Sequence, residues 1–170
     1  MKSGRRALVT FVIFFVFLFE VTAVGRDLVL TLLFDKSQYK KSDQIYVEFK
    51  LKNNGEEAVY VNNRFYLNSK VSKKDDREIY LSVISPKGIG LPSKISQETG
   101  LPKTDDFILL KSGEETVSQR KRGIKPYFDF LELGVYKITG IYQNVYGREI
   151  GLNVYKGRIT SEPVTIEIVE

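Results

Sequence analysis

The stretch Leu131-Glu132-Leu133-Gly134-Val135-Tyr136-Lys137-Ile138-Thr139-Gly140-Ile141-Tyr142-Gln143-Asn144 constrains the fold more than any other part of the chain. After Gly134, the residues Tyr136, Ile138, Gly140 and Tyr142 alternate with Val135, Lys137, Thr139 and Ile141. Period two is the mark of a strand with one buried face. Gly134 supplies a tight corner ahead of it, because a residue without Cβ takes positive φ at little steric cost. A long strand of this kind needs neighbours on its edges and a second layer over its apolar face.

The rest of the sequence supplies both. Leu28, Leu30 and Leu32 alternate within Asp27 to Phe34. Gln44 to Lys52 alternates Ile45, Val47, Phe49 and Leu51 with Tyr46, Glu48, Lys50 and Lys52, and Asn53-Asn54-Gly55 follows as a turn. Ala58 to Val61 begins another strand, expected to resume through Phe65 to Leu67 after an interruption at Asn62-Asn63. Glu78 to Ser85 points Ile79, Leu81 and Val83 one way, and Pro86 stops it. Phe107 to Lys111 and Thr116 to Ser118 flank a hairpin turn. Ser161 to Val169 closes the chain with Val164, Ile166 and Ile168 inward. No helical period is evident beyond the first 25 residues. The pattern predicts an all-β, antiparallel sandwich of about seven to nine strands.

Met1 to Gly25 reads as a targeting segment. Lys2, Arg5 and Arg6 precede the apolar run Ala7 to Phe19, and Val21-Thr22-Ala23 offers a peptidase site, with cleavage after Gly25 as a second option. The run spans roughly 20 Å as a helix, short of a ~30 Å hydrocarbon core. The expected organisation is therefore a signal helix at 1–23 and one domain over 26–170, exported to the periplasm, the cell surface or the medium. An anchor through residues 7–24 is the alternative, and the only membrane contact expected.

Two segments of the sequence resemble bacterial exported immunoglobulin-like domains. One runs from Tyr39-Lys40-Lys41-Ser42-Asp43-Gln44 through the alternating strand to Asn53-Asn54-Gly55. The other is Gly134-Val135-Tyr136-x-Ile138-x-Gly140-x-Tyr142 with Ser161-x-Pro163-Val164-x-Ile166. Leu131-x-x-Gly134-x-Tyr136 is similar to the tyrosine corner of that fold, in which the hydroxyl returns to the backbone upstream. The resemblance implies an immunoglobulin-like β-sandwich and, for Tyr136, that structural role. It implies no activity.

Composition narrows the chemistry. With no His and no Cys, imidazole bases, thiol nucleophiles and the usual zinc sites are out of reach. Ser37-x-x-Lys40 and Ser118-x-x-Lys121 have the Ser/Lys spacing, but both sit in charged loops where Lys stays protonated. Glu56-Glu57, Asp75-Asp76, Asp105-Asp106 and Glu114-Glu115 read as solvated turns, with calcium at Asp105-Asp106 a minor alternative. We expect no enzyme activity, no metal and no cofactor. The net charge of +5 falls to +3 without Lys2, Arg5, Arg6 and Glu20, too little for a nucleic-acid binder.

The expected function is a binding or accessory module for a protein or a cell-envelope polymer. Its candidate contacts are Arg120, Lys121, Arg122, Lys125 and Tyr127, the densest basic cluster, together with the long Pro86 to Asp106 loop. A proteinase inhibitor-like sandwich presenting an extended loop is the alternative. Tyr46, Tyr80 and Ile84 are expected to face away from the core and could form one aromatic patch.

Overall fold

The computed structural model describes residues 28–70, 78–147 and 151–170. The targeting segment, its cleavage site and Asp75-Asp76 lie outside them. Among the described residues the chain is all-β, with a single 3-10 turn at Thr104–Asp106 and no helix long and apolar enough to cross a membrane.

The strands are β1 (Leu28–Phe34), β2 (Gln38–Lys40), β3 (Tyr46–Asn53), β4 (Val59–Asn62), β5 (Ser69–Lys70), β6 (Ile79–Ile84) and β7 (Gly90–Leu91). They continue with β8 (Gln97–Glu98), β9 (Phe107–Leu110), β10 (Glu115–Val117), β11 (Arg122–Gly123), β12 (Gly134–Asn144), β13 (Gly157–Thr160) and β14 (Val164–Val169). One sheet has the order β1-β3-β10, with β11 also on β3. The other has the order β2-β14-β12-β6-β7, with β13 also on β12. The β4-β9 pair and the short parallel β5-β8 pair lie outside these two. The ladders are not all antiparallel as expected: β2 runs parallel to β14. The chain leaves β1 in one sheet, turns at Asp35 to Ser37 and joins the edge of the other sheet.

The alternating residues face one another across the two sheets. Val47, Phe49 and Leu51 of β3 are fully buried, as are Ile79 and Val83 of β6 and Tyr136, Ile138 and Tyr142 of β12. Leu30 and Leu32 of β1 complete the contact, and the approach there is close. A Cβ on Gly140 would stand 2.6 Å from Leu32 Cδ2 and 3.2 Å from Leu30 Cδ2. Glycine in a central strand forgoes side-chain packing, and here it admits the opposite sheet instead.

The fourteen strand segments among the described residues exceed the expected seven to nine partly because two strands are each broken by a buried serine. At Ser118, between β10 and β11, the backbone N–H donates to the Phe49 carbonyl (2.8 Å), and the Phe49 N–H donates to Ser118 Oγ (3.1 Å). At Ser161, between β13 and β14, the N–H donates to the Gly140 carbonyl (2.9 Å), and the Gly140 N–H donates to Ser161 Oγ (2.9 Å). In each case a side-chain oxygen replaces the carbonyl that an unbroken ladder would have supplied. The central strand keeps all its bonds while its neighbour kinks away.

Tyrosine hydroxyls tie the ends. Tyr136 Oη accepts from the Glu132 N–H (2.9 Å) and donates to the Glu132 carbonyl (3.0 Å), so the corner at Gly134 is closed as its spacing predicts. Tyr142 Oη does the same at Asn62, 3.0 Å from N and 3.1 Å from O. Tyr39 donates to Asp35 Oδ1 at 2.6 Å.

Ser118→Ala should lower unfolding free energy by about 1–3 kcal/mol, the cost of a buried N–H left without an acceptor. Exposed Ser112→Ala should leave the denaturation midpoint unchanged, and equal midpoints for both variants would remove the splice. Gly140→Ala should cost about 1–3 kcal/mol by overpacking. Combining it with Leu32→Val should recover part of that loss, and strictly additive costs would place the close contact elsewhere.

Candidate functional site

Asn62 ends β4, and its side chain folds back on the chain. Its Oδ1 accepts the Arg64 N–H at 3.1 Å, an Asx turn that stops the strand. Phe65 and Asn68 then take positive φ, at 49° and 54°. The expected continuation of this strand through Phe65 to Leu67 is therefore absent. Phe65 turns inward and stacks on Phe49, with ring centroids 6.4 Å apart. The same kink turns Arg64 and Tyr66 to a common corner.

Arg64 is nearly buried there. Its Nε donates to Glu78 Oε1 at 2.8 Å, and its Nη2 reaches the same oxygen. Its Nη1 donates to the Gly100 carbonyl (2.8 Å) and lies 3.9 Å from Asp106 Oδ2. Glu78, 2% exposed, also accepts from Asn62 Nδ2 at 3.1 Å. In a buried pair of this kind mutual attraction and further hydrogen bonds offset part of the desolvation cost, and removal of either partner leaves the other charge buried and unpaired. Burial pushes the neighbouring Tyr142 phenol well above the usual range, so it stays a neutral hydroxyl.

Tyr66 is 38% exposed, with two guanidinium groups against its ring. Arg64 lies 5.0 Å from the ring centroid and Arg122 lies 6.0 Å from it. Such contacts hold an arginine flat against an aromatic face. Arg122 is half-buried in β11, and its Nε is buried without a hydrogen-bond acceptor. The site thus presents a partly exposed ring and a guanidinium that no carboxylate neutralises among the described residues.

The other residues singled out from the sequence disperse. Arg120 is exposed beside this corner in sequence. Lys121 pairs with Glu48 at 3.6 Å. Lys125 donates to the carbonyls of Lys41 (2.7 Å) and Asp43 (2.8 Å), where it clamps the turn before β3. Tyr127 packs half-buried against the core, and its carbonyl accepts the Lys94 N–H at 2.9 Å. Ser118 and Lys121 form no Ser/Lys pair, since the Ser118 hydroxyl belongs to the sheet and the ammonium to Glu48. The described carboxylate pairs serve turns and ion pairs: Asp106 accepts from the Lys103 N–H, Glu114 from the Lys111 N–H, and Glu115 pairs with Lys50.

Two further expectations change. Tyr46 lies on one sheet and Tyr80 and Ile84 on the other, so they form no common patch. The Pro86 to Asp106 loop is pinned along the body. β7 pairs with β6, the Lys94 N–H bonds Tyr127, Asn68 Nδ2 donates to Ser93 Oγ (2.8 Å) and to the Ile95 carbonyl, and Arg64 holds Gly100. Arg64, Tyr66 and Glu78 were not legible as a site in the sequence. The available signal was the Asn62-Asn63 interruption followed by Arg64, Phe65 and Tyr66.

No family model and no curated protein matches the chain. Among solved structures it is similar to a β-glucosidase of Erythrobacter marinus, at a TM-score of 0.35 and 14% identity. The match covers 84% of this chain, which spans only 15% of that protein's length. The expectation of no enzyme activity is withdrawn in the face of this match. A likeness this distant carries no activity over to the chain.

Arg64→Met should destabilise by about 3–5 kcal/mol, because it strands the Glu78 carboxylate in the interior. Arg64→Met with Glu78→Leu should restore much of that loss in thermal or urea unfolding. No recovery in the double variant would show that the pair is not the interaction being lost.

Proposed function

We propose that this chain is an exported immunoglobulin-like module that binds a protein or cell-envelope polymer through the Arg64–Tyr66–Arg122 corner. The sheet orders β1-β3-β10 and β2-β14-β12-β6-β7 support the fold reading, as does the hydroxyl of Tyr136 closing on Glu132 at the start of β12. The passage of the first strand from one sheet to the other, antiparallel to β3 and then parallel to β14, supports it too. Export rests on the basic and apolar pattern of the first 25 residues.

The observation that carries the binding reading is the Tyr66 ring, open to solvent with Arg122 laid against it. Aromatic rings and arginines dominate binding energy where they are pre-organised, since little side-chain freedom is then lost on contact. The inhibitor-like alternative draws less support, because a loop that enters a protease cleft must stand clear of the body, whereas residues 86–106 are bonded along it.

Immobilised protein should capture its partner from an envelope extract, and Tyr66→Ala with Arg122→Gln should cut that capture at least about tenfold, the loss of one anchoring contact pair. Capture unchanged by the double substitution would move the contact surface elsewhere. A reporter fused behind residues 1–25 should leave the cytoplasm, and its retention there would end the export reading.

A further inference from the structure

On the sheet that does not carry Arg122, a shallow, open hollow of about 540 Å³ lies at the β12–β13 connection. Gln143, Asn144, Val145, Lys156, Gly157 and Arg158 line it. Gln143 and Arg158 are direct cross-strand partners, so their side chains stand together on one face. The Arg158 guanidinium lies over the Tyr80 ring, 5.6 Å from its centroid. The ring backs the arginine from one side.

The hollow is built on a fixed frame. Asn144 is 2% exposed, and its Nδ2 donates to the carbonyls of Tyr146 (2.9 Å) and Tyr155 (2.8 Å), tying both arms of the connection. At Gly157 a Cβ would stand 2.8 Å from the Tyr155 hydroxyl oxygen, so the chain passes there only as glycine. Among the described residues no acid lines the hollow, and neither Lys156 nor Arg158 takes part in an ion pair there. Five other lysines are neutralised by acids: Lys36 by Asp43, Lys50 by Glu115, Lys87 by Glu132, Lys94 by Asp129 and Lys121 by Glu48.

We propose that this hollow binds an anionic group, a carboxylate or a phosphate, between Lys156 and Arg158. A flat guanidinium offers two parallel N–H donors to such a group, and the ammonium adds a point charge. Tyr80 acts as a positioning residue. The site is separate from the Arg122 corner, and its test reads different residues.

The test is an NMR titration of the labelled chain with inorganic phosphate, glucuronate and glucose. Either anion should shift the backbone amides of Gln143, Gly157 and Arg158 saturably, and glucose should not. Tighter binding of glucuronate would assign the site to an acidic sugar, and tighter binding of phosphate to a phosphate-bearing ligand. Lys156→Gln with Arg158→Gln should weaken the response at least about tenfold while leaving the amides of Tyr136 and Ser161 in place. Tyr80→Leu should weaken it less, and with less effect on phosphate than on the larger glucuronate. No saturable shift with either anion, shifts unchanged in the double variant, or equal shifts at the paired lysines would overturn the proposal.

Discussion

The structure depends on the close contact of two sheets at Gly140. Leu30 and Leu32 of β1 occupy the space that a side chain on β12 would fill, so the layers meet there with no intervening group. Around this point the inward residues of β3, β6, β12 and β14 form one buried cluster. Dispersion and the removal of apolar surface from water hold it, and both fall away quickly with a gap. A larger residue at 140 would wedge the layers apart at their centre.

The polar backbone is reconciled with that core by short-range substitutions. Ser118 and Ser161 lend a hydroxyl oxygen to the two central strands at Phe49 and Gly140. Each allows an outer strand to break without leaving a buried N–H unpaired. The hydroxyls of Tyr136 and Tyr142 do the complementary work at the ends, each bonding both the N–H and the carbonyl of one residue. The same side chain thus fills core volume with its ring and satisfies backbone with its oxygen. Pro163, which has no N–H to offer, falls in the interruption between β13 and β14, where none is required.

Charge is distributed unevenly over the surface. Five lysines of the described residues pair with an acid. Arg122, Lys156 and Arg158 do not, and Arg122 and Arg158 each lie against a tyrosine ring. Arginine suits such a place because its flat, weakly hydrated group can rest on a ring and keep its outer edge available. These two corners lie on different sheets.

Much of the fold was legible in the residues themselves. Alternation of apolar and polar side chains identified the faces of β1, β3, β6 and β12, because burial of one face requires period two whatever the neighbours are. Leu131-x-x-Gly134-x-Tyr136 marked the corner, because a hydroxyl that returns four residues along the chain is a local event. Which strands share a sheet was decided by the tertiary structure. So was the fate of the basic cluster, where Lys125 went to two carbonyls, Lys121 to Glu48 and Arg122 to Tyr66. Tyr66 lies 56 residues before Arg122 in the chain, and no spacing rule connects them. Local sequence sets backbone preference and face. The partners of a charged or aromatic side chain are set by distant segments that only the packed sheets bring within reach.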